Sequence, residues 1–100
     1  MVACSACGRT FEPGERLASI SGSISGDECI ESWYYCGRCQ VYTLEVYWDV
    51  FLGDESVSIA GPIAAAAGDA KVALIRQCAT PWQKTCRCDA HRAYFGDSLD

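Results

Sequence analysis

The longest alternation of apolar and polar positions runs from Val41 to Phe51, VYTLEVYWDVF. Tyr42, Leu44, Val46, Trp48 and Val50 fall on one side; Val41, Thr43, Glu45, Tyr47, Asp49 and Phe51 fall on the other, which is half polar. A period of two sustained this long predicts a strand with one buried face. Leu52-Gly53-Asp54-Glu55 predicts a turn, and Ser56 to Ala60 alternates again, with Val57 and Ile59 pointing one way. Together these segments predict a hairpin, ended by Gly61-Pro62. Upstream, Arg16 to Ser21 predicts a short strand, Gly22 to Asp27 a Gly/Ser turn, and Cys29 to Tyr35 a return strand. Trp33 and Tyr35 share one face of that strand, and Ile30 and Tyr34 share the other.

The C-terminal part changes period. Ile63 to Ala67 is rich in helix formers, but Gly68 interrupts it. Asp69 is a good N-cap residue for a helix from Ala70 to Gln77, burying Val72, Leu74 and Ile75. Thr80-Pro81-Trp82 breaks that helix. A last short helix is expected from about Asp89, carrying His91, Tyr94 and Phe95 and stopped by Gly96, with the final four residues frayed. The pattern predicts an α+β fold of two β-hairpins followed by one or two short C-terminal helices.

Composition sharpens this picture. One hundred residues are expected to form a single domain, 1–100. Residues 1–40 would hold one hairpin between two cysteine pairs; residues 41–100 would hold the second hairpin, the short helix and a Cys/His cluster. A chain of this length buries a modest core, and small domains often need a metal or covalent staple.

The staple is visible in the eight cysteines and one histidine. Cys4-Ser5-Ala6-Cys7 and Cys36-Gly37-Arg38-Cys39 form a C-x2-C…C-x2-C set with 28 residues between the pairs. Each turn offers two sulfurs on one side of the backbone, so two turns supply a tetrahedral Cys4 site for zinc or iron. The gap exceeds the ~15–20 residues usual for such pairs, but a hairpin fills it. Gly8 and Gly37 fit turns that use positive φ. A second set, Cys78, Cys86, Cys88 and His91, reads C-x7-C-x-C-x2-H. Cys88 and His91 stand three apart at the start of a helix, on one face. Cys29 is left over: either a buried core thiol or, in place of His91, an eighth sulfur ligand. Two pairings of these donors are open. One is sequential, Cys4, Cys7, Cys36 and Cys39 with Cys78, Cys86, Cys88 and His91. The other is interleaved, joining Cys4 and Cys7 to Cys78 and Cys86, and Cys36 and Cys39 to Cys88 and His91. The expected cofactor is Zn2+, two ions per chain, with Fe as the alternative at the Cys4/Cys7/Cys36/Cys39 site.

A disulfide framework is the competing use of so many cysteines. The start, Met1-Val2-Ala3-Cys4, has no basic, apolar leader, and a two-residue gap closes only a strained disulfide loop. Both points favour metal in a reducing, cytoplasmic compartment. No apolar run is long enough to span a membrane.

Charge narrows the partner classes. The net charge is −5, with the acids concentrated before Ile59. Thiolate ligation of two Zn2+ would bring it to about −8. Such a chain argues against general nucleic-acid binding, which rests on basic surface, although Trp82, Lys84, Arg87 and Arg92 form a local basic and aromatic group.

The turn pair Cys4-x2-Cys7-Gly8 with Cys36-x2-Cys39 resembles the knuckles of zinc ribbons and rubredoxin-like proteins; Gln40 stands where rubredoxins carry a glycine. Cys36-x2-Cys39, a hairpin and then Cys88-x2-His91 resemble a treble clef, and the interleaved pairing resembles the cross-brace of RING-type domains. These resemblances imply a small metal-stabilised fold. Four protein donors per site leave no open coordination position, so catalysis at the metal is not expected. No nucleophile set or phosphate-binding loop is present either. The expected role is a non-catalytic module that binds another protein, with a rubredoxin-like iron or thiol redox protein as the alternative. The outer residues Tyr47 and Phe51 are candidates for the docking face.

Overall fold

The computed structural model describes residues 2–50 and 53–100. Four strands, β1 (Arg16–Ile24), β2 (Asp27–Cys36), β3 (Val41–Asp49) and β4 (Glu55–Ala64), form one antiparallel sheet in the order β1-β2-β3-β4. Two helices follow, α1 (Ala65–Arg76) and α2 (Asp89–Phe95). The fold is therefore α+β, but the strands make one continuous meander rather than two separate hairpins. Trp33 pairs with Leu44, and Tyr35 with Tyr42, across the β2–β3 junction. The strand expected over Val41–Phe51 is present as β3, but its burial does not follow a single face. Tyr42 and Thr43 are both buried and residues 44–48 are all half-buried, because both faces of the sheet are partly covered. Phe51 itself lies outside the described residues.

The strands run further than their sequence limits. β1 continues through Gly22 to Ile24, and the turn is only Ser25-Gly26, both with positive φ (53° and 85°). That pair of left-handed residues is the geometry of a type I′ hairpin. At the other end, β4 does not stop at Gly61-Pro62. It continues to Ala64, with the register shifting between Tyr42 and Leu44 on β3 to absorb the irregularity.

One face of the sheet packs on the helices. Ile20, Trp33, Tyr42, Val72, Ile75 and Tyr94 form this core, joined by Leu44, Ile63, Leu74 and Phe95. Val72 and Ile75 are the expected inward residues of α1. Its start was not expected: α1 begins at Ala65 and runs through Gly68. Gly68 is buried, and a Cβ there would stand 2.0 Å from Cδ2 of the Tyr42 ring. The glycine is thus the point where helix and sheet come closest, not a helix break. Asp69 is not an N-cap either; its Oδ1 accepts a hydrogen bond from the Tyr42 hydroxyl at 2.6 Å. On α2, the buried Tyr94 hydroxyl accepts from Trp33 Nε1 at 2.8 Å and donates to Glu31. Burial and the Glu31 acceptor hold the Tyr94 phenol well above its ordinary pKa, so this polar chain stays neutral at the phenol and fully bonded inside the core.

The opposite face receives the N-terminal segment. Val2, Cys4, Phe11 and Cys36 form a second, smaller core with Tyr34 and Val41. Phe11 stacks on Tyr34 at 5.3 Å. Ser5 anchors the segment to β3: its backbone N–H donates to Thr43 Oγ1, and the two hydroxyls are 2.9 Å apart.

The chain end is fastened as well, against the expectation of fraying. Asp100 accepts from the backbone N–H groups of Ser25 (2.7 Å) and Gly26 (2.9 Å) and from the Ser23 hydroxyl. Its own N–H donates to the Ser23 carbonyl. Four terminal residues therefore close over the β1–β2 turn, a long-range contact that local composition does not reveal. Among the described residues, no helix is long and apolar enough to cross a membrane.

Candidate metal centres

The fold gathers the cysteines into two groups. Ligand atoms of Cys4, Cys7, Cys36 and Cys39 all lie within 4.8 Å of one another, and so do those of Cys78, Cys86, Cys88 and His91. This is the sequential pairing; the interleaved one is not what the fold assembles. Cys29 joins neither group. It is buried on β2, between Gly22 and Trp48 in register, with the Glu31 carboxylate 4.0 Å from its sulfur. Burial first, and then that carboxylate, push its thiol up to about 11, the environment of a packed core thiol rather than a ligand. All eight thiols are free.

The first centre is made by two turns. Residues 5–7 form one, closed by the Gly8 N–H on the Cys4 carbonyl at 2.8 Å. The other joins β2 to β3 and is closed by the Gln40 N–H on the Cys36 carbonyl at 2.7 Å. The turns match in a way the sequence disguises. Gly8 has φ 79°, and the equivalent residue after the second pair, Gln40, has φ 56°. Gly37, expected to supply the positive φ, does not. A left-handed conformation at a non-glycine residue costs roughly 1–2 kcal/mol. Gln40→Gly is therefore expected to raise stability by roughly 1 kcal/mol after the entropy of the more flexible residue is deducted. Thermal unfolding of the metal-loaded protein measures it.

Electrostatics in this centre are uneven. Cys36 is fully buried, yet the backbone N–H of Cys39 brings its thiol down to about 6 against that burial, helped by the Arg9 guanidinium 3.7 Å away. Cys39 is pushed the other way, to about 12, first by the Cys7 thiol beside it and then by burial. Thiols packed this closely compete to keep their protons, and a divalent cation at their centre removes the competition by holding all of them as thiolates.

Arg9 was not a sequence candidate, although it is the only basic residue near the first pair. It is clamped by Glu15 through two bonds, Nη1–Oε1 at 2.9 Å and Nη2–Oε2 at 2.6 Å. The Arg9 guanidinium holds the Glu15 carboxyl down to about 2. The clamp is thus fully formed above the ordinary carboxylate range and is lost only as pH falls towards 2. Four thiolates around a divalent ion leave a net charge of −2, and Arg9 is the counter-charge held against it. Outer-shell partners of this kind change metal affinity by about 10–100-fold. In Arg9→Met, a competing chelator is expected to strip the first centre at correspondingly lower concentration, with the second centre unchanged.

The second centre lies along the outer edge of β1. Cys78 follows α1, Cys86 and Cys88 close the following loop, and His91 is on the first turn of α2. Cys88 is also the N-cap of α2, its sulfur accepting from the His91 N–H at 3.4 Å. Sulfur–sulfur separations are 3.8 Å for Cys78–Cys86 and 3.5 Å for Cys78–Cys88. A zinc tetrahedron with bonds of about 2.3 Å has S···S edges of about 3.8 Å, whereas a disulfide is about 2.05 Å. The spacing is too long for a disulfide and is compatible with ligation of a common ion. The Cys88 N–H and the Thr80 hydroxyl bring the Cys86 thiol down to about 6. Burial, with the neighbouring thiols, pushes Cys78 up to about 11.

His91 is fully buried, and its two nitrogens have different surroundings. Nδ1 faces the sulfurs, 3.1 Å from Cys78 and 3.7 Å from Cys88. Nε2 lies 2.9 Å from the Ser21 carbonyl on β1. A carbonyl only accepts, so Nε2 carries a proton, and in the neutral ring the Nδ1 lone pair points at the cluster. A ligating histidine usually has this arrangement, its second nitrogen fixed by an oxygen acceptor. The Ser21 anchor carries no mark in the sequence, because it is a backbone oxygen brought near by the fold.

The donor sets, four sulfurs in one centre and three sulfurs with one imidazole nitrogen in the other, suit a thiophilic ion such as zinc or iron. Both clusters could hold metal ions, and the chain has the features of a small metal-binding domain. The chain matches no protein-family model, no curated protein and no solved structure.

Proposed function

We propose that the protein binds two structural zinc ions and acts as a non-catalytic module that contacts another protein in a reducing compartment. The observation that carries this reading is the closed composition of both clusters. Each supplies four protein donor atoms within 4.8 Å of one another, and four protein ligands on a tetrahedral ion leave no position for a substrate or an activated water. The clusters also sit where a fastener is needed. The first ties the N-terminal segment to the β2–β3 turn; the second ties the 77–88 loop to the start of α2, and His91 links that unit to β1 through the Ser21 carbonyl.

Nucleic acid fits less well. The basic group near Trp82 loses its best phosphate reader, because Arg87 donates to the backbone carbonyls of Asp100, Lys84 and Cys86. A rubredoxin-like electron carrier is favoured by one observation, the all-sulfur donor set of the first centre. Colour separates it from zinc: ferric iron in four sulfurs is red, and zinc is colourless.

Single-ligand variants test the two-site reading. Cys36→Ser and Cys78→Ser are each expected to retain one metal equivalent, from the untouched centre, and Cys29→Ser to retain both. Loss of a metal in Cys29→Ser, or full retention in either of the other two, would contradict the assignment.

A further inference from the structure

The two edges of the sheet are treated differently. On β1 the edge is closed: the Ser21 and Ser23 N–H groups donate to the carbonyls of Pro81 and Lys84, and the Ser21 carbonyl accepts from His91. On β4 the edge is open. Every residue from Glu55 to Pro62 is exposed, and among the described residues no backbone bond closes its outer side. Open edges are normally blunted by lysines, inward charges, prolines, bulges or a covering element; β4 has only Pro62 and the register shift opposite Tyr42 and Leu44, both towards its C-terminal end. From Ser56 to Ala64, β4 has no charged residue at all. It presents instead Val57 (57% exposed) and Ile59 (50% exposed), both on the face away from the helices.

We propose that β4 is a self-association edge, pairing antiparallel with β4 of a second copy across a two-fold axis at Ser58. The strand's own sequence selects this occupant. In the register centred on Ser58, Val57 stands opposite Ile59 of the partner, and Ile59 opposite Val57 of the partner, so both exposed apolar residues gain an apolar cross-strand neighbour. Glu55 stands opposite Gly61 of the partner, which keeps the acidic ends of the two strands apart in a chain of net charge −5. Ser56 meets Ala60, and Ser58 meets Ser58, so no bulky or charged pair opposes the contact. Tyr47, in register with Val57 on β3, extends the apolar stripe inward on both copies. The result is one eight-stranded sheet with closed two-fold symmetry and no further open edge of this kind. A single pair of short strands buries less than the ~1,200 Å² of a stable interface, so the dimer exchanges with monomer and depends on concentration.

Sedimentation equilibrium on the metal-loaded protein tests this. The wild-type mass is expected to rise from 10.8 kDa towards twice that value as concentration increases. Ile59→Lys and Val57→Lys, which place like charges beside the two-fold axis, should remain monomeric with unchanged metal content. Hydrogen exchange on the wild type supplies a readout independent of variant folding: amides of residues 55–61 should gain protection with concentration, while β1 amides stay constant. A mass fixed at the monomer value throughout, a dimer undiminished in both lysine variants, or protection gained elsewhere than β4 would overturn the proposal. A partner strand from a different protein would appear as the first of these outcomes.

Discussion

Stripping both metals with a strong zinc chelator is expected to abolish the near-ultraviolet circular dichroism of the aromatic core and the cooperative thermal transition. Structural zinc in small domains contributes an apparent ~10–16 kcal/mol per ion at neutral pH. The whole stability of a domain this size is about 5–15 kcal/mol. The reason lies in what each centre holds. Without the first, the N-terminal segment keeps only the Val2, Cys4, Phe11 and Cys36 cluster and the Ser5–Thr43 bonds. Without the second, the loop that closes the β1 edge is held by few backbone bonds, and four close donors lose the ion that reconciles their charges. Return of the spectrum on adding zinc, with release of protons, is the expected reversal. A metal-free chain that keeps its near-ultraviolet spectrum would show that the metals are not the fastener.

Gly68→Ala is expected to destabilise the protein by about 2 kcal/mol or more, the reverse of what an added helix former does in an exposed helix. Alanine favours a helix over glycine by about 1 kcal/mol. Here its Cβ would lie 2.0 Å from Tyr42 Cδ2 and 2.5 Å from Cγ and Cε2. The ring cannot swing aside. It is wedged against Trp33 (centroids 5.8 Å apart) and Tyr35 (5.0 Å), and its hydroxyl is tied to Asp69. Helix and sheet must separate, and overpacking of this kind costs typically 1–3 kcal/mol and occasionally more. The penalty should shrink sharply in a Tyr42→Ala background, where the space is free. Chemical denaturation of the four species of this double-mutant cycle gives the coupling directly.

The parts of this molecule that were legible in the sequence share a property: they are local. Strand β3, the cysteine spacings and the short helix carrying His91 all follow from residues close in the chain. The two clusters were legible because each is built largely from turns whose spacing brings the side chains together. The failures are long-range. Gly68 looked like a helix break because propensity does not register a tyrosine ring 26 positions upstream. Gly22 looked like part of a turn, but it lies within β1 where a Cβ would meet the Phe95 ring at 2.7 Å. The C-terminal residues looked frayed because nothing in Asp-Ser-Leu-Asp announces the Ser25 and Gly26 amides that Asp100 binds. Arg9 and the Ser21 carbonyl, which steady the two centres from outside, belong to the same class. Gln40 is the instructive intermediate: comparison with the glycine of rubredoxin-like turns marked the position, and the backbone adopts the glycine-like conformation there without the glycine.

The most direct measurement is elemental analysis combined with native mass spectrometry, on protein purified under reducing conditions without added metal. The account predicts a folded 10.8 kDa chain carrying two zinc ions and eight cysteines free of disulfides. A folded chain without metal, or one whose cysteines are joined as disulfides, would contradict it.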